Sequence, residues 1–234
     1  MEANFKHVSF EEMSGIDEDY DKECKYQVSQ LIELEGFSAA QALYYHNLET
    51  NPDVKEPKVL VIVGPGINGG DALVAARHLK FFGYDITIFY PKRPKKEMLE
   101  NLTLQCENIS IPFIESLPEE FGSDSYDFIL DGIFGFTFKG EIRSPFKEII
   151  DQIGASGIKI VSVDVPSSWQ CDEGNVNSTY TPDILISLTA PKKCSEGFSG
   201  VHYIAGRFTP KFIVDKYGLS VPPYEGCNQF GKIN

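Results

Sequence analysis

No apolar run in the 234-residue chain is longer than that of Val59–Val63, far short of the roughly 18–20 residues needed to cross a bilayer. A membrane-spanning segment is therefore not expected. Basic residues are also scarce: 21 Lys+Arg stand against 34 Asp+Glu, a net charge of −13. Such a balance argues against a nucleic-acid or acidic-membrane binder, because both partners want a basic face. The five cysteines (Cys24, Cys106, Cys171, Cys194 and Cys227) are odd in number and include no C-x-x-C pair. They fit a reduced compartment better than a disulfide framework. The N-terminus carries Glu2, Glu11 and Glu12, with no apolar stretch behind a basic one. Neither a secretory leader nor a transit peptide is expected, so the cytoplasm is the expected location, with a mitochondrial one left open. The four histidines show no H-x-x-x-H spacing, and His78 reads as a surface or packed residue.

What is present is the grammar of an α/β chain. Over residues 8–48, Val28, Leu31, Ile32, Leu34 and Phe37 recur at helical spacing, and the pair Gly36-Phe37 predicts a break between helices. After a polar connector, Lys58–Val63 reads as a strand buried on both faces. A glycine-rich loop at 64–70 and an amphipathic helix at 71–82 follow. Further strands are expected at 85–90, 111–114, 128–130, 159–163, 183–188 and 201–204, with helices near 95–107, 145–153 and 211–217. This alternation predicts parallel βαβ units in a Rossmann-like three-layer αβα sandwich with a mostly parallel sheet. One domain is expected over 1–234, with a helical arm at 1–50 and the core at 58–220.

Gly64-Pro-Gly-Ile-Asn-Gly-Gly-Asp71 contains G-x-G-x-x-G between a strand and a helix. Glycines let the backbone approach a phosphate, and a helix N-terminus offers free N–H donors. No Gly-Lys-Ser/Thr follows, which excludes a Walker A loop. A nicotinamide dehydrogenase would place an acid at the end of the second strand, where this chain has Phe89-Tyr90-Pro91-Lys92-Arg93. Lys92 and Arg93 suit a ribose phosphate and keep an NADP-dependent reductase as an alternative. Asp71 reads as a helix cap, with or without a share in a ligand site.

Two more strands end in acids: Asp131, leading into Gly135-Phe-Thr-Phe-Lys139-Gly-Glu141, and Asp164, leading into Val165-Pro-Ser167-Ser168-Trp169. Ligands of open parallel sheets sit beyond the carboxyl ends of the strands, so both acids are site candidates. Phe134, Phe136 and Phe138 either stack on a ligand ring or pack.

The loop Gly64–Asp71, the stretch Asp131–Gly140 and the stretch Asp164–Trp169 resemble the YjeF N-terminal domain family. These are the NAD(P)H-hydrate epimerases, also called apolipoprotein A-I-binding proteins. The resemblance extends to Leu31-Ile-Glu33-Leu-Glu-Gly36 and to Leu188-Thr-Ala-Pro191-Lys192. It implies a homodimer that interconverts the R and S forms of NADHX and NADPHX, nicotinamide nucleotides hydroxylated at C6 of the reduced ring. It also implies a potassium ion held by Asn68, Asp131 and Ser167. Substrate contacts would come from Ile67, Asn68, Gly69, Gly70 and Asp71, from Gly135, Phe136, Thr137, Phe138, Lys139, Gly140 and Glu141, and from Asp164. One carboxyl that gives and takes a proton suffices for the chemistry, and Asp164 is the expected group. Lys139 is expected either to bind a phosphate or to hold Asp164 in its useful state.

The chain departs from the family pattern at several positions. Ile67 replaces an asparagine, Ala72 and Ser168 replace glycines, Gln170 replaces an aspartate, and Glu35 stands where alanine is usual. Ile67 and Ser168 keep a non-catalytic nucleotide- or protein-binding module as a second alternative.

Overall fold

The structure, a computed structural model, describes residues 5–118 and 121–234, so Glu2 lies outside the described residues. Eight strands form one sheet: β1 (Lys58–Val63), β2 (Asp85–Phe89), β3 (Phe113–Ile114), β4 (Phe128–Gly132), β5 (Lys159–Val163), β6 (Ile184–Leu188), β7 (Val201–Ala205) and β8 (Phe230–Lys232). Their order is β3-β2-β1-β4-β5-β6-β7-β8. All pairings are parallel except that of β7 with β8. The helices are α1 (Phe10–Lys22), α2 (Val28–Thr50), α3 (Ile67–Phe81), α4 (Glu97–Asn108), α5 (Phe146–Ala155) and α6 (Lys211–Tyr217).

The period-two geometry of a strand divides β1 between two cores. Val59, Val61 and Val63 pack with Ala39, Leu43, Leu73 and Leu79 of α2 and α3. Leu60 and Ile62 face Ile149, Ile150 and Ile153 of α5. Near-continuous apolar strands are what a sheet covered on both faces requires.

Three sequence expectations are corrected. The break at Gly36-Phe37 is absent, and α2 runs through it. A Cβ at Gly36 would lie 2.5 Å from Val74 Cβ and 2.6 Å from the Asp71 carbonyl oxygen, so the glycine serves a close crossing of α2 over α3 rather than a turn. Gly36→Ala should therefore destabilise the fold by about 1–3 kcal/mol through overpacking, read from denaturant unfolding; an unchanged midpoint would contradict the close crossing. Second, residues 1–50 are not an arm: α2 covers the sheet, and Met13, Ile16 and Tyr20 of α1 pack with Ile213 of α6. β8 likewise carries the sheet beyond residue 220.

Third, α3 starts at Ile67, with Gly66 as its N-cap. The turn after β1 is tighter than expected, and Asp71 is buried inside the helix rather than capping it. Gly69 makes this possible, since a Cβ there would sit 2.0 Å from the Gly64 carbonyl oxygen.

Candidate active site

Strand order reverses at β1: the chain runs outward to β2 and β3, then returns to β4 on the other side. Loops leaving neighbouring strands in opposite directions open a crevice at their carboxyl ends. A cavity of about 290 Å³ lies there. Its walls are Pro65–Asn68 after β1, Ile133–Phe138 after β4, Asp164 after β5, and Leu188 and Lys192 at the end of β6. The helical layer adds Met13 and Asp17 from α1, Glu35 from α2 and Asp71 from α3.

Asp164 adopts φ +69° just past β5, and its backbone N–H donates to the Ile186 carbonyl at 2.8 Å. Its side chain is only 7% exposed. Oδ2 accepts the Phe136 N–H at 2.8 Å, and Oδ1 accepts from Lys192 Nζ. Lys192, 1% exposed, also donates to the Leu188 carbonyl at 2.6 Å. The segment carrying Lys192 is tied to the start of the chain. Val8 N–H donates to the Pro191 carbonyl at 2.8 Å, and Lys193 N–H donates to the Val8 carbonyl at 3.0 Å.

Lys192, not Lys139, is thus the ammonium on Asp164. Lys139 is exposed, with its Nζ 3.5 Å from the Phe10 ring centroid. Neither it nor Gly140 or Glu141 lines the cavity. Gly69 and Gly70 also stand behind the wall, buried in the first turns of α3. Ile67, Asn68, Asp71, Gly135, Phe136, Thr137, Phe138 and Asp164 do converge on the cavity. Phe134 and Phe138 stack on each other, 4.7 Å between centroids, so at least one face of each ring is already used.

Asp131 ends β4 fully buried. It accepts from the N–H groups of Ile133 and Ser167, from the hydroxyls of Ser162 and Ser167, and from Tyr180 O–H. A carboxylate has about four lone-pair sites, so these donors saturate it. Burial and the Asp131 charge hold the Tyr180 phenol well above its ordinary value. Asn68 differs: its Nδ2 donates to the Phe134 carbonyl at 2.9 Å, while its buried Oδ1 has no partner among the described residues. An orphaned buried amide oxygen fits a hard cation such as potassium. Asp131, saturated by its own donors, has no free lone pair to offer such an ion.

The cavity also holds three carboxyls that sequence reasoning did not place together as an acid cluster. Burial, then the charges of Asp17 and Asp164, push Glu35 up to about 8 against the pull of Lys192. Burial raises Asp17 to about 6; it stays accessible to water, so its proton is held less firmly. Asp71, 2% exposed, is held well above the carboxylate range by burial and then by Glu35 and its other acidic neighbours.

The family model for the YjeF-related protein N-terminus matches residues 28–194. The chain belongs to this family. A Dictyostelium discoideum protein named NAD(P)H-hydrate epimerase is 45% identical over 215 residues, covering 91% of this chain and 89% of that one. The crystal structure of yeast YNL200c superposes with a TM-score of 0.90 at 37% identity, covering 97% of this chain and 99% of the yeast chain.

The departures of this YjeF-related chain have structural answers. Ile67 is 54% exposed at the cavity rim and does not plug it. Ser168 keeps the backbone that glycine would favour, φ +88°. That conformation costs about 1–3 kcal/mol, and Asn177 Nδ2 holds it by donating to the Ser168 carbonyl at 2.7 Å. Arg93, half of the basic pair that suggested a reductase, packs over the Phe113 ring at 4.4 Å and pairs with Glu107, outside the cavity lining. His78 pairs with Glu33 at 2.8 Å, also away from the cavity.

Proposed function

We infer that this YjeF-related chain is an isomerase, an NAD(P)H-hydrate epimerase acting on NADHX and NADPHX. The observation that carries the inference is a buried carboxylate, Asp164, fixed by Lys192 Nζ and the Phe136 N–H at a strand-tip cavity, in a chain so close to a protein of that name.

The hydrated C6 of the substrate is a carbinolamine. Proton transfer to its hydroxyl lets the ring nitrogen expel water, and water returns to the planar iminium from either face. A carboxyl positioned to exchange that proton contributes about 10²–10⁴-fold, and this reading gives the role to Asp164. Lys192 and the Phe136 amide keep its oxygens aimed, which limits the reorganisation the reaction needs. The Asp17 carboxylate, which gives up its proton above about 6, favours the cationic iminium over the neutral ground state. The first N–H groups of α3, at Ile67 and Asn68 in the cavity lining, would be available to an anionic nucleotide portion. No redox step occurs, so the missing acid after β2 has no task to perform.

Asn68, with Asp131 and Ser167 behind it, would hold potassium. The bound ion would supply positive charge beside an anionic substrate. A homodimer belongs to the same proposal, as does a reducing compartment, which five free cysteines support. Among the described residues, no helix is long and apolar enough to cross a membrane.

The test is to incubate the protein with separated R epimer in ¹⁸O-labelled water and to follow S by chromatography and mass. Formation of S well above the spontaneous rate, carrying label at C6, is expected. A rate equal to the spontaneous one would overturn the assignment, and unlabelled S would overturn the dehydration route.

A further inference from the structure

We propose that Glu35 is a second acid–base group of this reaction, serving the face of the nicotinamide ring opposite the one served by Asp164. The proposal rests on the epimerase reading and divides its proton transfers between two groups in this chain. Water leaves one face of C6 and returns to the other, and a second carboxyl on another wall of the cavity lets each face be served without Asp164 having to serve both.

Glu35 lines the cavity from the first half of α2, in the helical layer, whereas Asp164 lines it from the tip of β5. Among the described residues no hydrogen bond holds the Glu35 side chain, in contrast to the doubly held Asp164. The groups facing it are Asp17 on α1, Asp71 on α3, Asp164 after β5 and Lys192 after β6. Asp71 lines the same cavity but is only 2% exposed, and its buried Oδ1 has no partner among the described residues. Asp17 is open to water and retains its proton only to about 6. Glu35, half-buried and holding its proton to about 8, is the acid present at neutral pH.

In one direction the Glu35 proton passes to the C6 hydroxyl. The C6–O bond breaks with its electron pair on the departing water, and the ring-nitrogen lone pair closes the C=N bond. A water on the other face adds its oxygen to C6 and yields a proton to Asp164. The reverse direction exchanges the two roles, and solvent returns the proton.

The experiment measures kcat and KM for both epimers against pH in wild type, Glu35→Gln and Glu35→Ala. Wild type should lose activity in the R-to-S or S-to-R direction as pH rises through about 8. Glu35→Gln should lack that limb and lose about 10²-fold or more in kcat, with KM little changed. Formate should restore part of the rate to Glu35→Ala and nothing to wild type. Glu35→Gln with wild-type kcat and an unaltered pH limb would overturn the proposal, as would a Glu35→Ala enzyme indifferent to formate. If wild type itself fails to epimerise, the epimerase reading falls; if wild type turns over and Glu35→Gln matches it, only the role of Glu35 falls.

Discussion

Asp164→Asn should lower kcat by about 10²–10⁴-fold, the usual worth of a positioned general acid–base group. Asparagine keeps the shape and loses the exchangeable proton. It also brings one amide N–H₂ against two donors, since Oδ1 of Asp164 accepts from Lys192 and Oδ2 from the Phe136 N–H. Whichever way the amide turns, one of those donors loses its acceptor, at a cost of about 1–3 kcal/mol. The expected outcome is therefore a folded, slightly less stable protein with KM nearly intact and almost no turnover. Initial rates from pure R epimer, alongside denaturant unfolding, measure both parts. Turnover at the wild-type rate would remove Asp164 from the chemistry.

Lys192→Met should damage stability more than any other single change near the cavity. Methionine matches the length of the stem and deletes the charge, leaving Asp164 buried without its ion-pair partner. Breaking a buried pair in this way costs about 3–5 kcal/mol. Lys192 also opposes the upward displacement of Asp17, Glu35 and Asp71. The sign with pH follows. These acids bind protons more tightly folded than unfolded, so their contribution is fully present below their ordinary carboxylate values and declines as pH rises through about 6 for Asp17 and about 8 for Glu35. Without the ammonium that decline steepens. The stability gap between wild type and Lys192→Met should accordingly be wider near pH 8 than near pH 5. Urea midpoints at the two pH values test this, and a gap independent of pH would contradict it.

Much of the frame was legible from local pattern. The β-branched runs, the glycine turn and the acids at two strand tips lie in the sequence where the structure uses them, because each is a short-range signal. The boundary of α3 was misread because Gly69 and Gly70 suggest a loop, while tertiary packing against Gly64 made helix the better solution. Gly36 misled for the same reason, its missing side chain answering to Val74 across a helix crossing. Lys192 escaped notice as the partner of Asp164 because lysine is almost never fully buried. Its place just beyond β6 was the available signal. Asp17 drew no notice in the sequence and Glu35 stood out only as a replacement for alanine, and only the tertiary arrangement shows that α1 and α2 contribute to the cavity wall.

The bond pair between Val8 and the Pro191–Lys193 segment gives this site a history in time as well as a shape. A ribosome delivers Asp17, Glu35, Asp71 and Asp164 well before it delivers Lys192. Until Lys192 is in place, the described residues that line the cavity hold four acids and no cation. The pairing of Val8 with the Pro191–Lys193 segment ties the start of the described chain to the strand end that brings in the counter-charge.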